Sequence, residues 1–188
     1  MADNIYGVRR VVLTELNQDG STKADGKVIT ISTPQEVSYS PNIKEGGETE
    51  LRGGDKLIAT VKDDDVLTSI TATFKDAKLD IAAMALIGGG TVTGTGDTAK
   101  YAAPKMSETT RTPFKAEIYS AIYGDGSNTA GDIKAYAKVT LNYAKGEIPS
   151  FAQADKAFSV PSYTIVGTEN GAQKLSCYSI ERVASLPA

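Results

Sequence analysis

Apolar and polar residues alternate with a period of two over much of this chain, the pattern of half-buried strands. The longest case runs from Phe114 to Tyr143. Phe114, Ala116, Ile118 and Ile122 alternate with Lys115, Glu117, Tyr119 and Tyr123; after a polar loop, Ile133, Ala135, Ala137, Val139, Leu141 and Tyr143 alternate with Lys134, Tyr136, Lys138, Thr140 and Asn142. Two long antiparallel strands joined as a hairpin follow. Lys56 to Lys62 sets Leu57, Ala59 and Val61 against Lys56, Thr60 and Lys62, and Val66 to Lys75 sets Val66, Ile70, Ala72 and Phe74 against Ser69, Thr71, Thr73 and Lys75. These predict a strand pair across the acidic turn Asp63 to Asp65, each strand with one wet and one dry face.

The stretch that follows breaks the alternation. DAKLDIAAMALIGGG predicts a helix over about 76–88, with Asp76 positioned to accept from first-turn N–H groups, Asp80 adding charge near the positive end, and Gly88 to Gly90 stopping it. Leu79, Ala82, Ala83 and Leu86 share a face, while Ile81, Met84 and Ile87 spread apolar surface round the rest. Such a helix is expected to be covered on more than one side.

Elsewhere, Arg9 to Leu16 and Lys27 to Ser32 pair as a hairpin across the turn-rich loop Gln18 to Gly26, and Val37 and Tyr39 mark a short strand ending at Pro41. Thr91 to Pro113 is a long connection with at most one short strand. Phe158 and Val160 have one parity and Tyr163 and Ile165 the other, so a bulge or sheet crossing at Pro161 restores both sets to one core; the proline also points to an edge. Lys174 to Val183 is the last strand. Asn42 to Asp55 contains two Gly-Gly pairs around a charged stretch with only Leu51 to bury, and reads equally as a projecting arm or a disordered surface loop. The fold class is mainly β: an antiparallel sandwich or partly closed barrel with one packed helix at about 76–88 and a long projecting loop at about 42–55, in a single domain over 1–188.

Composition narrows the chemistry. The 188 residues are 40% hydrophobic, enough for a substantial core, and 18 glycines and 9 tyrosines suit short strands and tight turns. A net charge of −3 with a pI near 5.1 argues against a basic nucleic-acid interface and is compatible with DNA passing without sticking. There is no histidine, which removes Ser-His-Asp and Cys-His sites and His-ligated metals. Cys177 stands alone and reads as a small buried hydrophobe. Gly88 to Gly96 lacks the Lys-Ser/Thr ending of a phosphate loop. Asp63 to Asp65, and Asp125, Ser127, Thr129 and Asp132, fall short of a calcium ligand set and read as turns. Two-carboxylate catalysis survives this screen, yet it calls for an aromatic-lined groove, and the chain has no Trp. No enzyme, cofactor or metal is expected. The start, MADNIYGVRR, lacks the apolar core of a leader, and the apolar run Ile81 to Ile87 is far short of a membrane span, so synthesis in a reducing cytoplasm is the simple reading.

The order of segments resembles the major tail tube proteins of long-tailed bacteriophages and the related tube proteins of contractile tails and phage-like bacteriocins. The residues carrying the likeness are KEGGETELRGGDK, LIATVK, VLTSITATFK, DAKLDIAAMALIGGG, YAAPKM…TPFKAEIYSAIYGDG and IKAYAKVTLNYA, over most of the chain from Tyr6 to about Val183. The resemblance implies a virion structural protein. Six copies would form a ring whose sheets join into a barrel around a lumen, and rings would stack into a tube that conducts DNA into the host, with the tape measure and other tail proteins as partners and no membrane anchor. It places the protein in the virion tail, assembled in the host bacterial cytoplasm. It further implies that the 42–55 loop reaches a neighbouring subunit and that the helix supports the barrel from outside. Glu45, Glu48, Glu50, Leu51, Arg52, Met84 and Ile87 are therefore the candidate subunit-interface residues. The polar strand faces carry Lys62, Lys75, Lys115, Lys134 and Lys138 beside Glu117, so an acidic lumen lining does not follow from them. The alternative is a soluble β-sandwich carbohydrate-binding or adhesion module displaying Tyr119, Tyr123 or Tyr136 on a concave face.

Overall fold

A computed structural model describes residues 4–108, 110–124 and 133–187. In chain order the elements are β1 Asn4–Glu15, β2 Val28–Ile31, β3 Pro34–Lys44, β4 Glu48–Gly53, β5 Lys56–Lys62, β6 Val66–Asp76, α1 Ile81–Gly88, β7 Thr91–Thr93, a 3-10 turn Gly96–Thr98, β8 Lys100–Ala102, β9 Phe114–Tyr123, β10 Ile133–Gly146, β11 Ser162–Thr168 and β12 Tyr178–Val183. The protein is mainly β, its sheets are antiparallel, and one helix packs on them.

The 14-residue strand β10 joins two layers. Along one side it pairs with β9. Along the other it pairs first with β12, Tyr136 opposite Val183 through Leu141 opposite Tyr178, and then with β11, Ala144 opposite Gly167 through Gly146 opposite Ile165. The first layer therefore runs β2-β1-β9-β10-β12, and the second β10-β11-β6-β3. A register shift between Leu141 and Ala144 against β9 sits where β10 leaves one partner for the other, and a bulge of this kind bends a strand. The bulge also moves the buried set from Leu141 to Ala144, so Tyr143 lies off the dry face predicted for it and donates its hydroxyl to the Gln18 carbonyl at 3.1 Å. β1 and β3 touch across the fold, but no ladder joins them among the described strands.

Both layers bury their apolar parity. Val11, Leu13, Phe114, Ala116 and Ile118 face Ile70, Ala72, Phe74, Tyr163 and Ile165, and the Phe74 and Tyr163 rings stack with centroids 5.1 Å apart. Burial raises the Tyr163 phenol to about 12, a shift that the nearby Asp80 backbone N–H opposes.

The helix starts later than the sequence predicts. Asp80, not Asp76, is the cap, and its carboxylate accepts from the Ala82 and Ala83 N–H groups at 2.8 and 3.0 Å. Asp76 instead ends β6, buried, accepting from the Thr33 hydroxyl at 2.6 Å while its N–H donates to the Pro161 carbonyl at 3.1 Å. Eight residues are too few for a helix to stand alone, and packing supplies the difference. Ala83, Met84, Leu86 and Ile87 enter the core, while Tyr101 and Arg111 donate to the carbonyls of Gly89 and Gly88 at its end. Those two donors come from the 91–113 connection. There β7 and β8 pair as a small hairpin, one strand more than the sequence reading allows.

Other expectations change for stated reasons. β6 already has β3 on one edge and β11 on the other, so no edge is left for β5, and the predicted pair Lys56–Lys62 with Val66–Lys75 does not form. The stretch 42–55, expected to project as a hairpin or arm or to be a surface loop, is the end of β3 followed by β4, and the hairpin forms with β5 as its second strand. β3 is longer than predicted and runs through Pro41; as the last strand of its layer it can carry prolines whose missing N–H is not needed. No sheet crossing brings Phe158 inside: it is 99% exposed, and β11 begins after buried Pro161, between two strands rather than at an edge. Cys177 is buried, as a small hydrophobe would be.

Candidate functional site

The strand registers define two ends of the sandwich. At one end β1 finishes beside the start of β9, β6 finishes beside the starts of β3 and β11, and α1 packs against the end of β10. The opposite end holds the start of β1, the end of β9, the end of β3 and the start of β6. From that second end the β4–β5 hairpin projects as an arm.

Its base is fixed by short polar contacts. The Gly46 N–H donates to Asp65 Oδ1 at 3.0 Å, and the Asp63 N–H donates to the Gly47 carbonyl at 2.9 Å. A Cβ on Gly46 would lie 1.9 Å from the Asp63 carbonyl oxygen, so only glycine lets the two chains cross there. The tip turns through Gly54, whose φ of 65° suits glycine. Asp63 to Asp65 thus form a strand junction. Among the described residues no group of three or more His, Cys, Asp or Glu side chains gathers as a metal site, and the segment with Asp125, Ser127, Thr129 and Asp132 lies outside the described residues.

The arm has two unlike faces. Thr49 lies opposite Val61 and Leu51 opposite Ala59, and a register shift between Leu51 and Arg52 brings Arg52 opposite Leu57. Leu51, Ile58, Ala59 and Val61 therefore form a dry face, a Cβ on Gly53 meeting the Ile58 side chain on that side, while Glu48, Glu50, Arg52, Leu57 and Lys62 lie on the other. Arg52 donates to Glu50 at 2.7 Å. Leu51, Leu57, Ile58 and Val61 are 53–67% exposed, so none of the described residues covers them.

Of the candidate residues, Glu45, Glu48, Glu50, Leu51 and Arg52 come together on the arm or at its base, all exposed. Met84 and Ile87 do not join them. They lie at the other end, 5% and 0% exposed, inside the core, so the helix face expected to meet a neighbour is instead filled by this chain's own residues. Gly146 shows how tight that packing is: a Cβ there would come 2.2 Å from Ile87 Cγ2. Sequence reasoning missed Leu57, Ile58 and Val61 as surface residues. Their alternation is the same whether the dry face meets a sheet or a second molecule, and only the two Gly-Gly pairs before them hinted at an excursion.

Beside the arm, a cleft of about 320 Å³ opens between the layers, lined by Ile5, Tyr39, Pro41, Ile70, Tyr178 and Ile180 among others, and desolvation raises the Tyr39 phenol. On the outward face of the first layer, Glu117 pairs with Lys115 at 3.4 Å and with Lys138 at 3.5 Å, and Lys138 also pairs with Glu181. The hydrogen bond to Glu181 holds the Lys138 ammonium above its ordinary pKa, with burial opposing. Acid and base balance across this patch. Tyr119 is buried beside it at 5% exposure, and Tyr123 meets Tyr6 edge-on at 5.9 Å and accepts from Arg9 at 3.1 Å. No helix among the described residues is long and apolar enough to cross a membrane.

No protein-family model matches the chain, and no curated protein matches it.

Proposed function

We propose that this chain is a structural subunit that assembles with copies of itself, and that the assembly is the tail tube of a phage or phage-like particle, stacked hexameric rings whose lumen conducts DNA. The observation that carries this reading is the arm. A two-stranded ribbon is marginal by itself in water, and this one holds four large apolar side chains in solvent. A patch of that kind is an unmet contact. Open sheet edges support the same reading: β2 and β12 bound the first layer and β3 bounds the second, each with one side unpaired among the described strands. Such edges invite pairing, and a closed ring would satisfy them in a controlled way.

The balanced charge of the outward patch and the net charge of −3 give DNA no basic surface to hold it. A conduit needs no more than that. Tape measure and other tail proteins are the expected partners, and the site of action is the virion tail. The carbohydrate-binding alternative needs exposed tyrosines on a concave face, and Tyr119, its first candidate, is buried.

Electron microscopy and sedimentation of the purified chain test the proposal. Rings or tubes are the expected result; a monodisperse monomer at high concentration overturns it.

A further inference from the structure

We propose that the arm of one copy adds as an extra strand pair to the free edge of β2 on a second copy, its dry face lying against the cleft between β2, α1 and the β7–β8 hairpin. This rests on the assembly reading above and names the surface that receives the arm.

The receiving edge follows from the ladder. The Glu15 N–H donates to the Lys27 carbonyl at 2.9 Å, which makes Lys27, Ile29 and Ile31 the residues that exchange bonds with β1. Val28, Thr30 and Ser32 then direct their N–H and C=O groups outward, and no strand pairs with that side among the described residues. This edge borders a cleft of about 390 Å³, with Thr30 and Ser32 on one wall, Leu79 and Ile81 on another and Val92 on the third. An edge strand with a cleft alongside that is apolar in part, here at Leu79, Ile81 and Val92, is the arrangement that accepts an added strand, the backbone supplying bonds and the cleft taking alternate side chains.

The arm meets those requirements. β4 and β5 each keep one unpaired edge among the described strands, and adding one of them to β2 can turn the dry face of Leu51, Ile58, Ala59 and Val61 toward the cleft. Charge is complementary. Residues 45–65 hold seven Asp or Glu against three Lys or Arg. On the receiving side Lys27 and Lys78 flank the edge, exposed, and neither ammonium forms an ion pair among the described residues; the carboxylates that also line the cleft are already engaged, Asp80 by the Ala82 and Ala83 N–H groups and buried Asp76 by the Thr33 hydroxyl. Glu45 and Glu48 likewise form no ion pair among the described residues. Arm and receiving edge lie at opposite ends of the sandwich, so the contact is head-to-tail and repeats from copy to copy. Docking of the arm into the cleft beside its own base on a second copy would instead give a closed, reciprocal pair.

The test uses the full chain. Thr30→Pro removes an outward N–H and leaves the β1 ladder intact, which an edge strand tolerates. With a native circular dichroism spectrum, it is expected to reduce assembly at least tenfold in sedimentation. Chains carrying Thr30→Cys and Thr60→Cys, mixed and oxidised, are expected to cross-link to each other, a readout that does not depend on the proline variant folding. If the unaltered chain forms rings or tubes while Thr30→Pro assembles equally and the mixed cysteines stay uncoupled, the docking is wrong and the assembly reading stands. If assembly yields only closed dimers, the reciprocal contact replaces it. An unaltered chain that stays monomeric overturns both.

Discussion

Replacing Ile87 by alanine separates a core helix from an interface helix. Ile87 is fully buried, with Gly146 close enough that even a methyl on that glycine would collide with it. The change removes three carbon groups, worth about 0.8 kcal/mol each on transfer, or about 2.4 kcal/mol. The wall at Gly146 belongs to the end of β10, held there by β11 opposite Ile165, so collapse is limited and a cavity term of about 1 to 1.5 kcal/mol adds to this. The total is about 3 to 4 kcal/mol, a large part of the roughly 5 to 15 kcal/mol that holds a domain together. Urea unfolding followed by far-ultraviolet circular dichroism, at a concentration too low for assembly, measures it. With a slope of about 2 kcal/mol per molar urea, the midpoint falls by about 1.5 to 2 M. A loss below about 1 kcal/mol, accompanied by failure to assemble, would refute the reasoning, because it would mean that Ile87 faces a neighbour.

Val61→Asp on the arm should do the reverse, leaving the unfolding free energy within about 0.5 kcal/mol of the unaltered chain while abolishing assembly by electron microscopy; a folded variant that still assembles removes the arm from the interface. Glu15 has a pKa held below its ordinary 4.5, first by the Lys23 ammonium at 2.6 Å and then by the Lys27 N–H, with burial opposing. A depressed carboxylate contributes stability that is present above its unfolded value and is lost as pH falls through its folded one. The Lys27 amide should therefore lose hydrogen-exchange protection as pH drops below about 4.5, and Glu15→Gln should flatten that dependence. The Tyr163 hydroxyl is buried with the Asp80 N–H nearby but no partner at hydrogen-bonding geometry, so Tyr163→Phe should keep or raise stability, by up to about 1 kcal/mol in the same urea assay. It should also remove the phenol that titrates near 12 from the absorbance titration, and retention of that step would show that another tyrosine is the buried one.

The sequence alone determined the long strands of the two layers, though not β4 or the β7–β8 hairpin, because period-two alternation is a local property: Ile70, Ala72 and Phe74, or Phe114, Ala116 and Ile118, are buried as their parity requires. It also determined that a helix ends at Gly88 to Gly90 and that the Gly-rich stretch before Lys56 leaves the body of the fold. Partner choice was not legible. Lys56–Lys62 alternates as cleanly as Val66–Lys75, yet one lies in the solvent-exposed arm and the other at the centre of a layer, since β6 has two edges and β3 and β11 occupy both. The helix cap fell to Asp80 rather than Asp76 because Asp76 is held by Thr33 and Pro161, 43 and 85 positions away. Met84 and Ile87 could not be assigned to core or surface from an all-round apolar helix. Their burial depends on the connection that brings Tyr101 and Arg111 to the helix end and on the close approach of Gly146. Periodicity shows that a side chain has a dry side. Only the long-range pairing of backbone edges decides whether this chain itself supplies the cover, as it does for Ile87, or leaves the side chain in solvent, as it does for Leu51 and Val61.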